Sequence, residues 1–316
     1  YVTCLPAASA DEAQYPDLLI LDDDYVDLSG TDVVRTTAFV DTAGPGLVTL
    51  PRRPAALAYR PGKTEAVVCA EDVVRWYVFD GEAMVRAPQR DISFPSVSSA
   101  AFSKDGSMLI LADGSEVRAY GFDASARLVL LASIQVEGLV AVDCGHEKDF
   151  WALFRDRVEC RRWTGSGYVE APELSVTGLT AGKAISAGDG VLLVLDGDVV
   201  RHYRVTGGGT SEVASFRVSV PGATCLALTT GGFRVLVPGG TVFYSLAPGT
   251  PQRVPSLDDP CGDAACIAAS PWAGWDYGIL RSEGMSYRTY VAGGMTESPV
   301  FSVREPFGVG YRLTAE

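Results

Sequence analysis

Asparagine is missing from all 316 residues, histidine occurs only twice, and lysine occurs four times against 22 arginines. The shortage of heat-labile amides fits a thermophilic source. A GC-rich genome gives the same preference for Arg over Lys, so both readings stand. No run of about 18 apolar residues occurs, so no membrane insertion is expected. Positive charge is also scarce: 26 Lys and Arg face 39 Asp and Glu, for a net charge of −13 and no local basic patch. That balance disfavours nonspecific attraction to nucleic acid or an anionic membrane and favours solubility and cation binding. The opening YVTCLPAASADEAQ has neither an initiator Met nor a positively charged start, so it does not read as an intact secretion signal. We take residues 1–16 as an N-terminal extension of a processed form or of a piece of something larger.

Signatures of catalysis are lacking too. No G-x-S-x-G, Walker loop or H-E-x-x-H occurs. His146 falls in a turn, CGHEKD, and His202 inside a strand, and two histidines on no shared motif make a thin basis for acid–base chemistry. The glycine-rich turns GGGT, PGG and AGG precede strands, which leaves no helix N-terminus to receive a phosphate. Amphipathic helical patterns are missing, excluding helical and leucine-rich solenoids.

What the chain has is material for a core, 47% hydrophobic with 21% charged residues, and a repeat. VRWYVFDG (Val74–Gly81) returns as VRAYGFDAS, VRHYRVTGG and YRTYVAGG. The residue before each Arg position gives anchors at Val74, Val117, Val158, Val200, Val242 and Tyr287, spaced by 43, 41, 42, 42 and 45. A step of 40 backwards reaches Val34 in VRTTAFVD, a seventh anchor. Each unit holds four β-like runs parted by Asp-Gly and Gly-Gly turns, whose residues accept the positive φ of tight hairpins. Four antiparallel strands per repeat of about 40 residues is the arithmetic of a β-propeller blade.

The fold expected is therefore all-β: a seven-bladed propeller over residues 17–316, with blades ending near Pro51, Ser93, Val136, Val176, Val218, Leu257 and Val303. DLLILDDDYV matches the second-strand run VLLVLDGDVV, and GVGYRLTAE matches the first-strand run AALAYRPGK. Residues 307–316 are thus expected to supply the inner strand of the first blade and close the ring. The aromatics Tyr77, Tyr120, Tyr203 and Tyr290, with Phe39, Phe79, Phe122 and Trp163, are expected to pack between blades. The copy AFSKDGSMLILADGSEVRAYGFD (Ala101–Asp123) resembles the heterogeneous propellers with YVTN- and NHL-type repeats. That resemblance implies a binding platform, a scaffold or, in some members, an enzyme.

The turns between second and third strands all lie on one face. They carry Asp22, Asp23, Asp24, Glu71, Asp72, Asp113, Glu116, Asp156, Asp196, Asp198 and Glu283. An acidic rim for a cation or a basic partner is one reading. Ordinary turn chemistry, with acids pairing to Arg35, Arg75, Arg118, Arg201 and Arg288, is the other. ILDDDYVDLSGTD is the metal candidate, with Asp22, Asp24 and Asp27 as carboxylates for calcium. No other cofactor is expected. Of seven cysteines, Cys69, Cys144, Cys160 and Cys225 fall in apolar runs, where a thiol acts as a small hydrophobe. Cys261 and Cys266, in PCGDAAC, are the disulfide candidates, and Cys4 offers either of them another partner.

The function expected is a non-catalytic interaction or structural module with a protein partner, in a larger surface, secreted or virion-type assembly. The compartment itself stays open. The alternative, from a different class, is a carbohydrate-binding or hydrolase/lyase propeller using the central cleft, with calcium assisting. The first-strand segments ALAY, AAFS, AVDC, AISA, LALT and IAAS are small-residue sequences suited to a crowded axis.

Overall fold

A computed structural model describes residues 55–304, apart from 71–72, 95, 247–249, 263, 272–273, 282–283 and 292, together with the backbone of strands 18–21, 24–27, 39–40, 47–51 and 308–312. The chain divides into two compact units, Tyr1–Arg52 with Pro306–Glu316, and Arg53–Glu305.

The larger unit contains six antiparallel blades, each with four strands in simple sequential order. The innermost strands are Ala56–Tyr59, Ser99–Phe102, Ala141–His146, Gly182–Gly188, Cys225–Thr229 and Cys266–Ala269, for blades 1 to 6. The third strands, Val73–Phe79, Glu116–Phe122, Arg157–Trp163, Val199–Thr206, Gly239–Ser245 and Gly284–Val291, each carry one sequence anchor. The second strands run between them and are the driest: Met108–Ala112 is buried at all five positions. This burial on both faces explains why they read as unbroken apolar runs rather than as alternation.

The expectation of seven blades is corrected to six among the described residues. The reason lies at the seam. Each innermost strand packs on the next, and Cys266–Ala269 of blade 6 packs directly on Ala56–Tyr59 of blade 1. Tyr59 meets Tyr287 edge-on at 5.8 Å between ring centroids, and Phe79 meets Phe301 at 5.0 Å. Gly278 of blade 6 approaches Tyr59 so closely that a Cβ there would run into its ring. Within this unit the ring of six blades is shut. The C-terminal strand Gly308–Arg312 does pair with the N-terminal segment as expected, but with its strand Leu47–Pro51, in register from Gly308 opposite Pro51 to Arg312 opposite Leu47. Leu18–Leu21 pairs with Asp24–Asp27, not with the C-terminal strand as expected.

The fourth strands are where the blades differ. In blades 1, 3, 4 and 5 a single 3-10 turn interrupts the edge, at Pro88–Arg90, Pro172–Leu174, Ala214–Phe216 and Pro255–Leu257. A short segment then returns to pair with the start of the third strand. The turn delivers an acceptor to the third strand: the Trp76 N–H donates to Asp91 at 3.0 Å and the Phe243 N–H to Asp258 at 3.0 Å. Each carboxylate also binds an arginine, Arg86 and Arg253 respectively.

The AFSKDG segment is explained by its hydrogen bonds. Ser103 Oγ donates to Asp105 at 2.6 Å and accepts the Met108 N–H at 2.9 Å, while Asp105 accepts the Ser107 N–H at 2.9 Å. Gly106 has φ +66° and lies against the Pro61 carbonyl of blade 1, where a Cβ would clash. The motif therefore encodes both a hairpin and an inter-blade contact.

Candidate functional site

The six innermost strands enclose a channel of about 840 Å³. Its wall is mostly Ala, Val, Leu, Ile, Ser and Gly, because side chains from six strands converge on one axis and only small ones fit. Neighbouring innermost strands are fastened by side chains that reach to the next blade's backbone. The Val142 N–H donates to Ser99 Oγ at 3.0 Å, the Ala187 N–H to Asp143 Oδ2 at 2.8 Å, and the Leu228 N–H to Ser186 Oγ at 2.9 Å.

Asp143 is the one carboxylate in that belt. Burial in the wall pushes its pKa up to about 6, against the opposing pull of the Ala187 and Cys144 N–H groups and the Ser186 hydroxyl. At one mouth Lys104 of blade 2 forms an ion pair with Asp189 of blade 4, passing over blade 3, whose Glu147 carbonyl accepts the Lys104 N–H at 2.9 Å. At the other mouth Lys183 pairs with Asp198 at 3.1 Å. On the face of the first pair, Trp275 and Tyr290 of blade 6 are exposed and meet edge-on at 5.2 Å.

Of the expected rim, Asp113 accepts the Ser115 and Glu116 N–H groups at 2.8 and 2.7 Å. Glu116 pairs with Arg118 at 2.7 Å and accepts the Ser133 hydroxyl. Asp156 pairs with Arg157 at 3.0 Å. Asp196 is buried, accepts the Thr180 and Ala181 N–H groups at 2.8 and 2.6 Å, and pairs with Arg201 at 2.6 Å. Backbone and side-chain hydrogen bonds hold Asp113 and Asp196 below the usual carboxylate range despite desolvation, and the Arg118 and Ser133 hydrogen bonds do the same for Glu116. Each of these acids thus has a local partner. Asp22, Asp23, Glu71, Asp72 and Glu283 lie outside the described residues, and Asp24 and Asp27 are placed only as backbone in a strand. Among the described residues no group of three or more His, Cys, Asp or Glu side chains could hold a metal ion, and no helix is long and apolar enough to cross a membrane.

His146 is exposed at the end of an innermost strand, and His202 packs edge-on against Phe216 at 4.5 Å with its pKa lowered by desolvation. Cys261 is buried on the last strand of blade 5, and the Cys266 sulfur, on the first strand of blade 6, lies 3.6 Å from that of Cys225. Neither Asp143 nor the Cys225–Cys266 pair was singled out as a candidate from the sequence. A signal existed for Asp143, which is the only charge within the six small-residue segments.

No family model matches this chain, and no curated protein matches it either. Solved structures do resemble it. The periplasmic gluconolactonase PpgL of Pseudomonas aeruginosa superposes with a TM-score of 0.58 at 13% identity, over 81% of this chain and 86% of that one. A protein from Lactobacillus plantarum gives 0.56 at 13% identity, over 83% and 87%. The WD40 repeats of RRP9 give 0.53 at 13% identity, over 81% and 82%. At such identities the likeness shows the fold, a β-propeller of four-stranded antiparallel blades, and nothing finer.

Proposed function

We propose that this chain is a non-catalytic β-propeller that docks a protein partner along the outer edge of blade 2, as a component of a larger surface, secreted or virion-type assembly. The observation that carries this reading is the strand Leu128–Gln135, eight residues long and outermost in its sheet. It holds no charge and no proline, and Val129, Leu130 and Leu131 are 43%, 50% and 43% exposed. An edge of this kind invites pairing with another strand, and proteins ordinarily blunt it. The other blades do so here: blades 1, 3, 4 and 5 break the edge with a 3-10 turn, and the ten-residue edge Gly294–Val303 carries Glu297 and Pro299. WD40 repeats among the structural relatives, as in RRP9, fit the same reading. The likeness to YVTN- and NHL-type propellers rests on the AFSKDG copy.

The test is isolation of the protein from its source without denaturant, followed by sizing and mass spectrometry. A fixed-ratio complex that Leu130→Lys dissolves supports the proposal. A lone monomer, or a complex indifferent to Leu130→Lys, contradicts it.

A second reading, a carbohydrate-binding or hydrolase/lyase propeller assisted by calcium, is favoured by one set of observations. Asp143, with its raised pKa, lines the channel, and Trp275 with Tyr290 offers exposed aromatic surface for a sugar face. The gluconolactonase among the structural relatives is an enzyme of this fold. Glycan and lactone screens with and without calcium, repeated on Asp143→Ser, distinguish it from docking: a gain of binding or turnover lost in that variant supports the enzyme class.

A further inference from the structure

The six cysteines other than Cys4 were expected to be either apolar filling or part of PCGDAAC, yet two of these thiols stand apart from the rest. Cys225 opens the innermost strand of blade 5 and Cys266 that of blade 6. Their sulfurs lie 3.6 Å apart, and both residues line the channel and are only partly buried. They occupy the kind of place that Ser99, Asp143 and Ser186 occupy at other gaps. Cys225 Sγ is 3.6 Å from the Ile267 carbonyl of the next blade, and the Leu57 backbone N–H of blade 1 is directed at Cys266. The fastening of blade 5 to 6 and of blade 6 to 1 thus runs through two thiols, across the seam where the ring closes.

We propose that Cys225 and Cys266 form a reversible dithiol–disulfide pair that covalently staples blades 5 and 6 beside the closing seam. The oxidant is a low-molecular-weight disulfide entering through the channel. The thiolate of Cys225 attacks one sulfur of that disulfide and expels the other half as a thiolate, which takes up a proton. The Cys266 sulfur, losing its proton to solvent, then attacks the Cys225 sulfur and expels the second half. The protein loses two hydrogens and one S–S bond forms, while the oxidant gains two electrons and two protons and leaves as two thiols. The sulfurs need to approach by about 1.5 Å to reach the disulfide bond length, a shift within reach of side-chain rotation at the channel wall.

The surroundings separate this pair from the other thiols. The hydrogen bond from the Cys266 thiol lowers the pKa of Cys225, making it the nucleophile. Burial pushes Cys160 up to about 12 and raises Cys69 and Cys144 further from reactivity. The proposal is independent of what the propeller docks or binds.

The experiment uses the full chain, reduced, desalted and exposed while folded to oxidised glutathione, then digested without reductant and mapped by mass spectrometry. The expected result is a peptide pair joined through Cys225 and Cys266, a melting temperature about 5 °C or more above the reduced form, and reversal of both by dithiothreitol. Cys225→Ser and Cys266→Ser keep a hydroxyl of the kind that fastens other gaps, so they should fold, as circular dichroism checks, and show neither linkage nor shift. Recovery of both cysteines as thiols or as separate glutathione adducts overturns the proposal. So does linkage scattered among other cysteines, and so does the expected linkage without a rise in melting temperature.

Discussion

In blade 2 the second strand, Met108–Ala112, is buried at every position, whereas the fourth, Leu128–Gln135, has no buried position at all. The third strand, Glu116–Phe122, lies between them and alternates. The same gradient from axis to rim assigns different physics to each layer. Around the channel, innermost strands are joined by single side chains that reach the next blade's backbone, and the second strands outside them are held by packing with water excluded. At the rim, arginine–carboxylate pairs such as Arg86–Asp91 and Arg253–Asp258 form in contact with solvent. An interior layer that must fit tolerates little change. The rim is free to diverge from blade to blade, and that is where docking surfaces can arise.

Substitutions sharpen this contrast. The largest loss is expected for Trp76→Ala: Trp76 is fully buried and meets Phe102 and Phe122 of blade 2 edge-on at 5.6 and 5.9 Å. Chemical denaturation should show a cost of about 4 kcal/mol. Asp259→Ala should follow closely. Its buried carboxylate receives Arg288 Nε and Nη2 at 2.6 Å each and the Tyr277 hydroxyl at 2.7 Å, so removal strands an arginine between blades 5 and 6. A cost of about 3 kcal/mol or more is expected by the same measurement.

Asp143 gives the contrast a pH dependence. Its folded pKa, about 6, lies above the ordinary 3.8, so the folded state holds the proton more tightly. The stability it contributes is complete below about pH 4 and is lost as pH rises through 6, by about 3 kcal/mol in all. Acids such as Asp196 and Asp113, with lowered pKa values, act in the opposite sense as pH falls below their unfolded values. The comparison to make is therefore between the chain and Asp143→Ser: urea midpoints between pH 4.5 and 7.5 should fall more steeply for the former. Equal slopes would place Asp143 in water.

At the rim the expected effects are small. Arg253→Ala breaks an ion pair that is half exposed and should cost less than about 1 kcal/mol. Leu130→Lys should change stability by about 0.5 kcal/mol or less, while removing any partner held at that edge. A large loss of stability in either variant would mean that the rim is buried in a way the gradient denies.

Much of this architecture was legible. The six anchors fall on six third strands, and the expected blade ends at Ser93, Val136, Val176, Val218 and Val303 lie within a residue of the observed ones, because hairpin turns require Gly and Asp at fixed offsets. Leu257 was short of the end of blade 5, since Asp259–Gly262 adds a returning segment after the 3-10 turn. The count failed for a different reason. VRTTAFVD and GVGYRLTAE resemble blade strands, but likeness to a strand does not say which strand it pairs with, and the seam between Tyr59 and Tyr287 is a contact between residues far apart in sequence. The Cys225–Cys266 pair was hidden likewise: proximity in sequence pointed to Cys261, whereas the ring sets innermost strands of successive blades side by side.

The most direct test of the account is to express residues 53–305 alone and follow their unfolding by calorimetry and circular dichroism. If six blades close on themselves, this piece unfolds in one cooperative transition with β-sheet content undiminished. If residues 17–50 and 307–316 were needed to complete the ring, the piece would be left open at one blade, and loss of the transition together with aggregation would contradict the six-bladed closure.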